Sequence, residues 1–160
     1  MPLSTTLESI KDQFDEAIVE LHQQQGQDTA IVSRSAIVAV ARFLKEDPEL
    51  QYNYLMDLTA VDYFKRKPRF EVVYHFLSLK TLFRVRVKVP VDTAELEVDS
   101  LVALWPAANW YEREVYDMFG IKFRGHPDLK RILMYPEFDG HPLRKDYPID
   151  RRQPKVGPKD

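Results

Sequence analysis

The side chains best placed to do chemistry gather between Trp105 and Tyr147. Glu112, Arg113, Glu114 and Asp117 fall within six consecutive positions. Paired carboxylates with shifted pKa values are what general acid–base, glycoside and phosphoryl chemistry uses, so a stand-alone carboxylate enzyme is one reading. Nothing nearby supplies a nucleophile elbow, a metal box or a phosphate loop. Two other arrangements also accommodate these charges. They are satisfied inside the fold, capping loops or holding a strand, or some are left for a second protein, because buried charge demands partners. On a helix Arg113 and Asp117 stand four apart and are expected to pair, as are Trp110 and Glu114.

Two Gly-His-Pro triplets follow, at Gly125-His126-Pro127 and Gly140-His141-Pro142. Histidine is the commonest metal ligand. Each of these is followed by proline, which imposes an extended backbone, and no third ligand stands at helical spacing, so turn or cap roles are expected over a metal site. His75 reads as a sheet-face or core residue, and His22 as a helix-end residue facing the dipole. The chain has no cysteine, which excludes disulfides, thiolate zinc sites and iron–sulfur clusters held by this chain alone.

The elements that must position these residues can be read from periodicity. Leu7, Ile10, Phe14, Ile18 and Leu21 predict an amphipathic helix over 5–25, started by Ser4 or Thr5 and stopped at Gly26. A short strand over 29–33 precedes a helix marked by Ile37, Val40, Ala41 and Leu44, which closes before Pro48. Strands are predicted over 55–62, 70–79 and 81–89, with Lys65-Arg66-Lys67-Pro68 as a turn. In the last strand Phe83, Val85, Val87 and Val89 alternate with Arg84, Arg86 and Lys88, the pattern of a half-buried strand with a wet basic face; a docking surface for an acidic partner is the alternative. Helix is expected to return after Asp99 or Ser100, to break at Trp105-Pro106, and to run again over 107–119 with Gly120 as its left-handed stop. Trp110, Tyr111, Val115, Met118 and Phe119 give this last helix a broad apolar face, so burial on more than one side is expected. Helices, strands and helix without regular alternation predict a two-layer α+β sandwich.

With 160 residues, 44% hydrophobic content and a net charge of −2, the composition suits one globular domain and argues against a nucleic-acid binder. The apolar runs are far below the roughly 18 residues of a membrane span, and the start lacks a secretory pattern, so a soluble intracellular protein is expected. The end changes character: six of the 11 prolines lie from Pro127 onward, favouring an extended arm. Leu133, Met134, Tyr135, Phe138, Leu143, Tyr147 and Ile149 are too apolar for a free tail and need a surface to cover them.

These residues carry a resemblance. Glu112-Arg113-Glu114, Asp117-Met118-Phe119-Gly120-Ile121, the run Gly125-His126-Pro127-Asp128-Leu129-Lys130-Arg131-Ile132-Leu133 and the run Gly140-His141-Pro142-Leu143-Arg144-Lys145-Asp146-Tyr147-Pro148 are similar to the C-type subunit of NADH:quinone oxidoreductase. That is the 30 kDa-type subunit of respiratory complex I, with J-type relatives in chloroplasts and cyanobacteria. Asp57-Leu58-Thr59-Ala60-Val61-Asp62 and Trp105-Pro106 fit the same family, while Phe138 stands where many relatives carry Trp.

The resemblance implies a two-layer α/β sandwich with a mixed, mostly antiparallel sheet over residues 1–133, and an extended proline-rich C-terminal arm over 134–160 that packs on a partner subunit. It implies a non-catalytic structural subunit with no catalytic, cofactor or metal residues. Glu112, Arg113, Glu114, Asp117, His126, Arg131, His141, Arg144, Lys145, Asp146 and Tyr147 are then the expected interface and family residues. The implied partners are the D-type and B-type subunits that frame the quinone site. The assembly's FMN, iron–sulfur clusters, NADH and quinone are held by other chains. The implied location is peripheral, at the cytoplasmic face of the inner (cell) membrane, with membrane association only through the complex. The equivalent subunit of a membrane-bound hydrogenase or a ferredoxin-fed complex is the alternative.

Overall fold

A computed structural model describes residues 4–157. Its frame is a five-stranded sheet in the order β1-β2-β5-β4-β3, built from β1 (Ile18–Gln24), β2 (Gln27–Val32), β3 (Tyr54–Asp62), β4 (Phe70–Leu77) and β5 (Arg84–Val91). Neighbours pair antiparallel except β2 with β5, which run parallel because the chain leaves β2 through helix α2 (Ile37–Glu46) and the β3–β4 hairpin before returning. The sheet is therefore mixed and mostly antiparallel, as expected.

The period-two pattern of β5 sets the two faces. Val85, Val87, Val89 and Val91 are all buried, and the register places them opposite Phe76, Tyr74, Val72 and Phe70 of β4. Those eight side chains join one core with Leu7 and Ile10 of helix α1 (Thr5–Phe14), with Ile37, Val40, Ala41 and Leu44 of α2, and with Ala108, Val115, Met118 and Phe119 of helix α3 (Ala108–Phe119). Ile31 and Val73 point to the other face and lie outside that core cluster. There Arg86 reaches Gln27, and Lys88 pairs with Glu71 at 3.3 Å, so the basic stripe is partly engaged rather than wholly solvated. A short parallel pair, β6 (Glu97–Asp99) and β7 (Lys122–Arg124), brackets α3. From Gly125 to Gly157 the chain forms neither helix nor strand.

Several boundaries differ from expectation. The helix over 5–25 ends at Phe14, and residues 18–24 form the edge strand β1. Ile18 and Leu21 satisfy a helical spacing by coincidence; the β-branched pair Ile18-Val19 and the partner β2 decide for strand. Gly26 closes no helix. With Gln25 it makes the hairpin turn, at φ +75° and +52°, which the twist of a two-residue connection requires. His22 thus sits on a strand and faces no helix end. After Ser100 only one turn forms, with the Leu104 and Trp105 amides both donating to the Leu101 carbonyl. β5 starts at Arg84, because residues 78–83 are spent on a self-bonded loop. Of the expected arm, residues 158–160 lie outside the described residues.

Candidate functional site

Helix α3 runs over β3 and ends in Gly120 at φ +75°. A helix C-terminus leaves four carbonyls without intrahelical partners. Here the last helical bond closes on Tyr116, and the next three carbonyls find partners in the C-terminal segment. Tyr116 accepts from the Gly120 amide at 2.8 Å, and Asp117 accepts from His141 Nδ1 at 2.9 Å. Met118 accepts from the Leu143 amide at 3.1 Å, and Phe119 from Arg144 Nε at 2.5 Å. The second Gly-His-Pro block is therefore the cap of α3. Since a carbonyl only accepts, His141 carries its proton on Nδ1, and burial holds its pKa below the usual range. A Cβ on Gly120 would lie 2.6 Å from His141 Nε2, so glycine is needed both for its backbone angle and for this contact.

The Asp117 carboxylate, fully buried, organises the chain just before that cap. Its Oδ2 accepts from the amides of Ile132 (3.1 Å), Leu133 (2.8 Å) and Met134 (2.8 Å), and its Oδ1 from Arg131 Nη1 at 2.6 Å. Burial alone raises its pKa, but those amides and the guanidinium outweigh it and hold the pKa below the usual range. Arg131 also donates to the Gly140 carbonyl at 3.0 Å. Arg113 donates to the carbonyls of Lys130 and Arg131, both at 3.1 Å. The expected Arg113–Asp117 pair does not form. Asp117 points inward to a distant arginine, while Arg113 reaches the returning chain.

A second buried carboxylate holds the same segment farther on. Asp62, the last residue of β3, accepts from Arg69 Nη2 at 2.7 Å and Nε at 2.9 Å, and from the Lys145 amide at 2.8 Å. Arg69 then bridges to Asp146 at 2.8 and 2.9 Å. The Arg69 hydrogen bonds, against burial, bring the Asp62 pKa down to about 2. Sequence reasoning marks neither Asp62 nor Arg69 as a site residue. The available signal is parity: Leu58, Ala60 and Asp62 share the inward face of β3, and an inward charge on a strand needs a partner.

The remaining residues divide. Glu112 is buried and closes the turn after β6, accepting from Ser100 Oγ (2.6 Å) and the Leu101 amide (2.7 Å). Burial pushes its pKa up to about 7 against those two bonds. His126 caps locally: its Nε2 donates to the Asn109 carbonyl at 3.0 Å and its Nδ1 accepts from the Asp128 amide at 3.0 Å. Tyr147 stacks on Phe138 with ring centres 6.0 Å apart. Glu114 is exposed and in no ion pair among the described residues, and no pair with Trp110 forms. Trp110 is 67% exposed, contrary to the expected burial of that face, and carries the Arg113 guanidinium 5.9 Å from its ring centre. Among the described residues no group of three or more His, Asp or Glu side chains converges as a metal set, and no helix is long and apolar enough to cross a membrane.

Comparison with known proteins places this arrangement. Residues 30–153 match the family described as respiratory-chain NADH dehydrogenase, 30 Kd subunit. The C-type subunit of NADH-quinone oxidoreductase from Citrifermentans bemidjiense is 47% identical over 150 residues, 92% of each chain. That of Roseiflexus sp. (strain RS-1) is 49% identical over 146 residues, 91% of this chain and 84% of the relative. Among solved structures, a trypsin-resistant fragment of Nqo5 superposes with a TM-score of 0.68 at 30% identity, covering 78% of this chain and all of that one. A chain of a membrane-bound sulfane sulfur reductase, an archaeal respiratory membrane complex, superposes with a TM-score of 0.73 at 28% identity, covering 89% and 84%.

Proposed function

The chain belongs to the respiratory-chain NADH dehydrogenase 30 Kd subunit family, whose members include the C-type subunits of NADH-quinone oxidoreductase, and from that premise we propose that it works as a non-catalytic structural subunit docking the D-type subunit of the complex. One observation carries this reading. The segment from Arg131 to Asp146 is fixed on its inner side by Asp117, Asp62 and the capped end of α3. Beyond or between those anchors Leu133, Leu143, Ile149 and Val156 are each more than half exposed. A segment anchored along one side and apolar along the other is a surface made to be covered.

Most of the charged family residues hold backbone. Asp117, Arg113 and Arg131 bond the backbone of the segment itself, and Glu112 closes the turn after β6, while Glu114 is exposed. In this reading Arg113 and Asp117, with Arg131, fix the departure of the arm over 134–160, and Arg144 and Asp146 tie its middle to the domain. The D-type and B-type subunits receive it, while FMN, iron–sulfur clusters, NADH and quinone stay on other chains. The subunit is peripheral, on the cytoplasmic face, and held to the membrane by the complex.

Leu143→Asp with Ile149→Asp in the native complex tests this. The expected outcome is that less of the D-type subunit copurifies, with unchanged quinone reduction per assembled complex. Full assembly with lost quinone reduction contradicts it. The similarity to the sulfane sulfur reductase chain favours a second reading, the equivalent subunit of a hydrogenase-like or ferredoxin-fed complex. Partners carrying flavin and NADH sites support the first reading; a nickel–iron subunit or a ferredoxin-fed partner supports the second.

A further inference from the structure

The pole opposite the Asp62 corner carries a feature that the anchoring role leaves unused. The loop joining β4 to β5 presents Leu79, Leu82 and Phe83 to solvent, with Leu82 and Phe83 exposed by 73% and 66%. This loop is held by its own bonds. The Leu82 amide donates to the Ser78 carbonyl at 2.8 Å, the Ser78 amide to the Phe83 carbonyl at 3.0 Å, and the Thr81 amide to Ser78 Oγ at 3.2 Å. Leu82 is kept at φ +61°, a left-handed conformation that a γ-branched residue adopts only at a cost. Ordered backbone that holds apolar side chains outward is preorganised for contact, since little entropy is left to lose on binding.

The surroundings define what fits. A cleft of about 620 Å³ opens beside the loop, between the start of α1, the Gln25-Gly26 turn and Phe83. Arg84 lines this cleft and also a smaller one on the open sheet face that includes His75 and Arg86. Arg84 forms no ion pair among the described residues, and Arg86 reaches only the neutral Gln27, at 2.6 Å. The footprint thus joins three apolar anchors to two guanidiniums that lack a carboxylate. Lys80 of the loop is engaged by the Pro48 carbonyl at 2.7 Å and Lys88 of the same sheet face by Glu71. Arg84 and Arg86 are therefore the cations left without an acidic partner among the described residues, with Asp57 on that face and Asp28 lining both clefts. Two uncompensated cations among these carboxylates are too few for a nucleic-acid backbone or an anionic lipid surface, which take larger basic clusters. They match one or two carboxylates on a protein surface, where Arg–carboxylate pairing is bidentate and specific.

We propose that the β4–β5 loop, with Arg84 and Arg86, is a second docking site of this chain, taking an apolar segment of a different protein subunit that carries acidic side chains. It is separate from the Leu143–Ile149 surface and does not depend on which partner covers that surface. The test uses the full chain in its native complex, with the photo-crosslinker p-benzoylphenylalanine replacing Phe83 in one strain and Leu143 in another. The Phe83 probe is expected to capture one partner chain at a peptide holding Asp or Glu among apolar residues. Arg84→Glu with Arg86→Glu should lower that yield about tenfold or more while leaving the Leu143 crosslink unchanged. A Phe83 probe that captures nothing, only lipid, or only a second copy of this chain overturns the proposal. So does capture that the double charge reversal leaves intact. Loss of the Leu143 crosslink alone speaks against the docking surface proposed above and leaves this one standing.

Discussion

The two ends of helix α3 each bury a carboxylate, and the two are driven in opposite directions. Glu112, near the start, meets a hydroxyl and one amide and is pushed up to about 7. Asp117, five residues on, meets three amides and a guanidinium and is held below its usual range. Both side chains are closed to solvent, but Glu112 lies deeper in the protein and is desolvated more strongly. The number and charge of the donors add to this: two neutral bonds only partly offset the desolvation of Glu112, while a cation with three amides exceeds that of Asp117. The contrast matches what each end does. Glu112 closes a local turn, whereas Asp117 gathers a segment from beyond β7 and makes it part of the domain.

Removing the stronger centre should have the largest effect. Asp117→Asn leaves Arg131 without its anion and puts an amide NH₂ against three N–H donors, so a loss of about 3 kcal/mol of unfolding free energy is expected. That is the lower end for a broken buried pair because Arg131 is partly solvated. Chemical denaturation measures it, and a loss under about 1 kcal/mol would mean that the cluster is not holding the segment. Gly120→Ala comes next, at roughly 1–3 kcal/mol, since alanine must adopt φ +75° and displace His141. It should also weaken the cap selectively, which an NMR titration of His141 reads as a pKa rising toward the ordinary value.

Glu112→Gln should be the mildest, and its sign depends on pH. A carboxyl whose folded pKa is raised to about 7 contributes stability that is complete below its unfolded pKa and lost as pH rises through about 7. The parent protein should therefore lose stability between about pH 4.5 and 7, and Glu112→Gln should flatten that slope. Asp117 and Asp62, with lowered values, contribute stability present above about pH 4 and lost as pH falls further, through about 2 for Asp62. Opposite slopes are expected on the two sides of about pH 4; an unchanged slope in Glu112→Gln would mean that Glu112 is not held protonated by its burial.

How much of this is readable in the sequence follows the range of the interactions. The alternation of β5, the apolar stripe of α2 and the Gly120 stop are local patterns, and each forms where its pattern stands. β1 reads as helix because Phe14, Ile18 and Leu21 satisfy a helical period that strand pairing with β2 overrides. At the site, the residues of the family signature are legible, but their partners are not. A helix-based rule pairs Arg113 with Asp117, whereas Asp117 closes on Arg131 and on amides 15 to 17 positions away. The Asp62–Arg69–Asp146 bridge spans 77 positions from Arg69 to Asp146. Contacts at such separation are fixed by topology, which periodicity does not encode.

The C-terminal segment is anchored by its inner side, and the proposed role is that another subunit covers its outer side. Amide hydrogen exchange on the isolated chain and on the same chain within the native complex tests this directly. The amides of Ile132, Leu133, Met134, Leu143 and Lys145 are expected to be protected in both, and 147–156 to gain protection only in the complex. Equal exchange of 147–156 in the two states, with the complex intact, would contradict it.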